Sequence, residues 1–181
     1  MEKRRGIFLL VFAALLLCGG GGFRLSAQTD TLSVKTDSLS VAAKADTLSL
    51  AEQVVAYART FTGTPYKLGA AGPSRFDCSS YTSYVFKHFG YNVTAYSAAQ
   101  FREGREVPSY KDLQKGDLVF FGKRGSVRNI GHVGIVVSID KELGSFTFIH
   151  ASVSNGVVEQ SFNHPYFMMR YMGARRILPD E

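Results

Sequence analysis

Cys78, His132 and His150 are the side chains of this chain whose types could combine into nucleophilic chemistry. The sequence holds two cysteines, Cys18 and Cys78, so it has no disulfide framework. Cys78 lies in Phe76-Asp77-Cys78-Ser79-Ser80, a stretch that reads as the start of a helix. Unpaired amides and the helix dipole favour an anion there, which predicts a thiol with a lowered pKa. The thiolate is the nucleophilic form. It would attack a carbonyl carbon, and amides of the same terminus could hold the developing oxyanion. The competing reading is a buried cysteine acting as a small hydrophobe. The polar neighbours Asp77, Ser79 and Ser80 weigh against it.

A thiolate needs a base and later a proton donor, and histidine suits both near neutral pH. Four histidines are present: His88, His132, His150 and His164. His88 comes ten residues after Cys78, ~15 Å along a helix and out of reach. His164 precedes Pro165 in a turn-like, surface-type stretch. His132 begins one predicted strand and His150 ends the next. If those strands pair about Lys141–Glu142, equal parity puts both histidines on one face, ~5–8 Å apart at Cβ. His132 then reads as general base and His150 as the group that orients it. Gly131 and Gly134 would let backbone or substrate come close. Two other readings compete. Each histidine could be an ordinary hydrogen-bonded sheet residue, or the three side chains could ligate zinc with one position open. A helix-terminal thiolate with two imidazoles needs no metal, so neither metal nor cofactor is expected.

Several elements must position these groups. Ser49-Leu50-Ala51-Glu52 has a capping-box pattern and opens a helix that Gly63 and Pro65 stop. A second helix runs from the Cys78 stretch to Gly90. Ser97-Ala98-Ala99-Gln100 reads as another capping box, opening a short helix that ends near Gly104. The period then changes to alternation. Strands are predicted over 118–121, 132–139, 145–152, 157–162 and 171–178, joined by short glycine-bearing connections. Helices followed by an antiparallel meander give an α+β layout.

Composition excludes other classes. The 181 residues are 45% hydrophobic and 20% charged, as in ordinary globular chains. The net charge of +6 divides into +3 over residues 1–27, −1 over 28–49 and +4 over 50–181. The last value fits an acidic or polyanionic neighbourhood but forms no basic stripe, so no nucleic-acid partner is expected. Lys3, Arg4 and Arg5 precede the apolar run Ile7 to Leu17, too short to span a bilayer but suited to a signal-peptide core. Leu25-Ser26-Ala27 offers a cut before Gln28. The alternative is lipidation of Cys18 and a membrane anchor, although Leu17 is large for that processing. Either reading places the mature protein outside the cytoplasm. Residues 28–48 carry a short Asp-Thr/Ser-Leu-Ser repeat with no aromatic residue and read as a Ser/Thr-rich tether. The folded domain is expected over 49–181.

Six blocks in unbroken order carry a family resemblance: Gly63-Thr64-Pro65-Tyr66, Phe76-Asp77-Cys78-Ser79, Leu113 to Phe121, Gly131 to Ile135, Phe148-Ile149-His150-Ala151-Ser152, and Tyr171 to Arg176. Together they resemble the NlpC family of bacterial cell-wall cysteine peptidases. The resemblance implies a papain-like fold, N-terminal helices packed on a five- to six-stranded antiparallel sheet. It implies Cys78 as nucleophile, His132 as base and His150 as the third polar residue. It also implies hydrolysis of peptidoglycan stem peptides, commonly between γ-D-glutamate and meso-diaminopimelate. Tyr66 matches a tyrosine beside the nucleophile that helps hold substrate or oxyanion. Asp77 and Ser79 match positions that can hold a free stem-peptide amine, although Asp77 could equally cap the helix. Arg175 and Arg176 match the closing block and serve the fold. Ser80 departs from the family pattern, where many members carry glycine, and its bulk bears on substrate preference. Two further readings keep the resemblance: an N-acetylmuramoyl-L-alanine amidase or acyltransferase using the same trio, and a non-catalytic wall-binding module.

Overall fold

A computed structural model describes residues 48–123 and 127–180. The signal-peptide reading of 1–27, lipidation at Cys18 and the tether up to residue 47 lie outside the described residues. Among the described residues no helix is long and apolar enough to cross a membrane.

Helix α1 (Leu50–Arg59) starts as its sequence dictates. The Ser49 hydroxyl accepts from the Glu52 amide, and the Glu52 carboxylate accepts from the Ser49 amide. Val54, Val55 and Ala58 form its buried stripe. Helix α2 (Cys78–His88) is capped by Asp77, and Gly90 follows it at φ 85°, where a side chain would be strained. The third helix departs from expectation. Helix α3 spans Ser97–Gln100 only, and Tyr96 rather than a capping hydroxyl precedes it. Gln100 does not reach back to close a capping box. Its amide is fully buried and donates to Ser79 O, Thr82 Oγ1 and Thr94 O, tying α3 to the first turn of α2.

The sheet strands are β1 (Arg105–Val107), β2 (Leu118–Gly122), β3 (Ile130–Asp140), β4 (Ser145–Ser152), β5 (Gly156–Ser161) and β6 (Tyr171–Arg176), with α4 (Pro165–Arg170) before β6. Their order is β1-β6-β2-β3-β4-β5, and every pair is antiparallel. The α+β expectation holds, with six strands. The simple meander holds only for β2 to β5, because β6 returns to the far side of β2 and β1 extends that edge. Both faces of the sheet are covered. Val133, Ile135, Val137, Leu118 and Phe120 pack with α1 and α2. Val119, Phe121, Val136, Phe146 and Phe148 pack with Phe162 and Phe167 on the other face. Alternating side chains thus feed two cores, which suits a sheet apolar on both sides.

The closing block ties the sheet to the chain that precedes β2. Arg176 places Nε and Nη2 each 2.7 Å from the Asp117 carboxylate, and Asp117 is 1% exposed. Arg175 lies over the Phe101 ring, 4.7 Å from its centroid. Both arginines serve the fold, as the resemblance implies.

Candidate active site

Asp77 fixes where the thiol sits. One carboxylate oxygen accepts from the Ser80 amide at 2.7 Å and from the Ser79 hydroxyl at 3.2 Å; the other accepts from Gly69 N at 2.9 Å. These bonds close the N-terminus of α2 and tether the preceding loop, and they leave Asp77 buried. Ser80 completes the cap. Its hydroxyl accepts from the Asp77 amide at 3.0 Å and donates to Ala70 O, and the residue is buried. The bulk anticipated at Ser80 is therefore turned into the protein and spent on the loop before α2. Ser79 is also buried, with its hydroxyl between Asp77 Oδ1 and Ala95 O.

Cys78 is the first residue of α2, and its sulfur lies against β3. Sγ is 3.8 Å from the Gly131 carbonyl oxygen, and the Val133 amide also faces it. Those two groups flank His132 in sequence, in the part of β3 that comes before its pairing with β4, which runs from Ile135↔Ile149 to Asp140↔Ser145.

The thiol does not have the depressed pKa that its helix position predicts. Burial pushes it up, and the Asp77 carboxylate adds to the rise. The amides of Cys78, Ser79 and Val133 pull in the opposite direction and do not win. Sequence reasoning weighed the helix terminus and could not weigh the desolvation.

His132 and His150 meet, by a route the parity argument did not foresee. Near the turn the register is Ser138↔Thr147 and Ile139↔Phe146, so residues of unlike parity oppose. A bulge between Val136 and Ser138 shifts the register by one, and beyond it like parity opposes, as in Val136↔Phe148. That shift puts the two histidines on one face. His132 Nε2 lies 2.6 Å from His150 Nδ1. Gly134 makes the approach possible. A Cβ there would lie 2.7 Å from Phe148 Cδ2 and 3.2 Å from His150 Cβ. Its bare backbone therefore accommodates His150 and Phe148, while Gly131 faces open space.

Both imidazoles are held neutral. His150 is 3% exposed, set among the rings of Phe148 and Phe167 at 5.0 and 5.7 Å. Burial lowers its pKa to about 4, against a small rise from Gln160. His132 falls to about 3, from burial and then from the neighbouring His150. With two ring nitrogens aimed at one another, the pair cannot offer both to one ion. Among the described residues no group of three His, Cys, Asp or Glu is placed to hold a metal.

Tyr66 is half-buried and bridges to Phe76, and its hydroxyl pKa is raised by burial and then by the charges of Cys78 and Asp77. His88 stacks on Tyr57, 3.8 Å between centroids, far from this chemistry as helix length required. His164 is exposed and caps α4, its Nδ1 accepting from Tyr166 N. Sequence reasoning missed Gln160, whose Oε1 lies 3.2 Å from His150 Nε2. It also missed the groove beside His132, about 250 Å³, bordered by Lys123, Gly131, Tyr166 and Arg170. A larger hollow of about 430 Å³, bordered by Ser49, Lys115 and Arg176, contains neither thiol nor imidazole.

Comparison with known proteins agrees with this architecture. The chain is 31% identical to the murein DD-endopeptidase MepS/murein LD-carboxypeptidase of Escherichia coli K12, over 96% of this chain and 92% of that one. The solved structure of an NlpC/P60 family protein from Bacillus cereus matches 72% of this chain and 41% of that one, with 30% identity and a TM-score of 0.65. The NlpC/p60 domain of the peptidoglycan hydrolase SagA matches 71% of this chain and 99% of that one, with 28% identity and a TM-score of 0.59. The family model for NlpC/P60 matches residues 63–176, which spans α2, the whole sheet and all three candidate side chains. The chain belongs to the NlpC/P60 family.

Proposed function

We propose that this protein is an exported cysteine endopeptidase that hydrolyses peptidoglycan stem peptides. Cys78 is the nucleophile, His132 the base and His150 the group that orients it. The observation that carries the reading is the 2.6 Å contact between His132 Nε2 and His150 Nδ1. It commits Nε2 of His132 to His150 and leaves Nδ1 as the ring nitrogen that would take the thiol proton. The thiol proton passes to Nδ1 as sulfur attacks the carbonyl carbon, and the imidazolium formed is stabilised through its Nε2–H. The imidazolium then protonates the departing amine. Water, deprotonated by the same imidazole, cleaves the thioester. Amides at the start of α2 are the donors available to the oxyanion. The mature domain is taken as residues 49–181, delivered by the signal segment 1–27 and spaced by 28–48.

Tyr66 would contact substrate, as the tyrosine that the family motif carries ahead of the nucleophile. Asp77 and Ser79 would contribute to amine binding only through lone pairs not already spent on the helix cap. Lys123 and Arg170 give the groove beside His132 a cationic border, which suits the carboxylates that stem peptides carry. The bond favoured is γ-D-glutamyl–meso-diaminopimelate. A second reading, cleavage between two D-residues, is favoured by the name of the Escherichia coli relative. An amidase using the same trio would free a lactyl carboxyl instead, and an acyltransferase would pass the acyl group to an acceptor other than water.

Digestion of purified peptidoglycan with product masses separates these outcomes. The wild type should release fragments with a free diaminopimelate amine and no free lactyl carboxyl, and these should be absent from Cys78→Ala and His132→Ala digests of folded protein. Equal products from wild type and Cys78→Ala would end the catalytic reading and favour a wall-binding module.

A further inference from the structure

The trio does not end at His150. We infer that Gln160 is a positioning residue that sets the tautomers of both imidazoles and so decides whether His132 can accept a proton. The inference rests on the proposed roles of Cys78 and His132. It adds a fourth side chain, from a strand that supplies none of the other three.

β5 is the outer strand of the sheet beyond β4, and Gln160 pairs across from Phe148 there. His150 pairs with Val158, so Gln160 is its diagonal neighbour on the same face. The amide oxygen lies 3.2 Å from His150 Nε2. That oxygen can only accept, so Nε2 of His150 must carry the hydrogen. A neutral imidazole has one N–H, which leaves Nδ1 of His150 as a lone pair. The lone pair faces His132 Nε2 at 2.6 Å and therefore accepts a hydrogen from it. His132 is then protonated at Nε2 and bare at Nδ1, the form that can take the thiol proton. Reversing the first bond reverses all of them. If the Gln160 NH₂ faced His150, the hydrogen would move to Nδ1 of His150 and Nε2 of His132 would become the acceptor. Nδ1 of His132 would then already hold a hydrogen and could not serve as base.

The same chain stabilises the charge that forms. When sulfur gives up its proton to Nδ1, His132 becomes a cation with both nitrogens protonated. Its Nε2–H donates to His150, and the Nε2–H of His150 donates to Gln160, so two aligned dipoles face the new charge. A neutral amide does this without holding His150 as an imidazolium, which a carboxylate in the same place would favour.

The experiment uses ¹⁵N-histidine-labelled full chain. Two-bond ¹⁵N–¹H spectra read the tautomer of each ring with no dependence on activity, and stem-peptide cleavage gives kcat and KM. Wild type should show both rings protonated at Nε2. Gln160→Met, similar in length but without the acceptor, should give mixed tautomers, with kcat reduced about tenfold and KM within about twofold. Gln160→Glu keeps an acceptor-only atom and, read at alkaline pH where His150 is neutral beside the carboxylate, should restore the Nε2–H form, and it decides the matter if the Met variant fails to fold. Wild-type His150 protonated at Nδ1 would overturn the inference, as would a Met variant with wild-type tautomers or wild-type kcat. A wild type that cleaves nothing would defeat the catalytic reading, while the spectra would still judge the tautomer assignment.

Discussion

At the scale of single residues, the thiol and the imidazoles have been moved in opposite directions by one cause. Desolvation raises Cys78 and lowers His132 and His150, so the resting pair is a neutral thiol beside a neutral imidazole. On the proposed mechanism the reactive state is the one with a single proton between sulfur and His132, on whichever atom it rests. A second proton enters only as pH falls toward the His132 value of about 3, and the shared one leaves only above the ordinary thiol range. The profile of kcat/KM should therefore be a broad bell whose acid limb lies well below pH 6.5. An acid limb at 6.5 or higher would mean that the imidazoles are solvated and the buried pair is wrong. Stability follows the same sign. His150 has a lowered folded pKa, so its contribution is complete above its unfolded value of 6.5 and is lost as pH falls toward about 4. In that window it makes stability fall by about 1.4 kcal/mol per pH unit. Urea titrations at pH 7 and 5 measure the fall, and His150→Gln should lessen it. The place of Cys78 at a helix start and of the two histidines in neighbouring strands was legible because these are local signals. The direction of the thiol shift was not, because desolvation depends on what packs over Cys78 and not on its neighbours in sequence.

Among the elements, what escaped sequence reasoning shares a physical origin. α4 buries only Phe167, so its six residues show no helical stripe, and histidine is an unusual cap. β1 is three residues with two exposed charges, too short to alternate visibly. The bulge at Val137 leaves no trace in a run of valine and isoleucine, yet it decides which histidine faces which. Gly134 is the residue in which sequence and packing meet. Alanine there must move Phe148 or His150, since its Cβ would lie under 3.0 Å from the Phe148 ring. Overpacking of this kind costs about 1–3 kcal/mol. Gly134→Ala should lower Tm by several degrees and kcat by at least about tenfold, whereas Gly131→Ala, in open space, should leave Tm unchanged. A Gly134→Ala variant with wild-type Tm and kcat would show that His150 is not held by this contact. Asp117 makes a contrasting prediction. Removing its carboxylate leaves the Arg176 guanidinium, 7% exposed, with only the exposed Asp180 carboxylate and Asp112 O as partners, at a cost of about 3 kcal/mol. Asp117→Ala should thus be seen in thermal melts, with kcat of the folded fraction unchanged.

For the molecule as a whole, two cores on opposite faces of one sheet carry stability, and the site draws on both: Cys78 belongs to the first, and His150 packs against Phe148 and Phe167 of the second. Charge is then what the whole chain contributes to meeting its substrate. Residues 50–181 carry a net charge of +4, and Lys123 and Arg170 concentrate two of those cations at the groove beside His132. Arg170 lies over the Tyr166 ring, 4.5 Å from its centroid, which holds the guanidinium at the border of the groove. Stem peptides and the wall that carries them are anionic, so attraction should act on approach and binding rather than on the bond-breaking step. Raising salt should therefore raise KM on whole peptidoglycan and leave kcat unchanged, since the Debye length falls from ≈ 10 Å at 0.1 M to 3 Å at 1 M. Reversing both cations, Lys123→Glu with Arg170→Glu, should raise KM at low salt by about tenfold and flatten the salt dependence. It should spare Tm, because both side chains are exposed. A double variant with the wild-type KM and salt slope would remove the groove from the substrate path and place the stem peptide on the Tyr66 side of the sulfur alone.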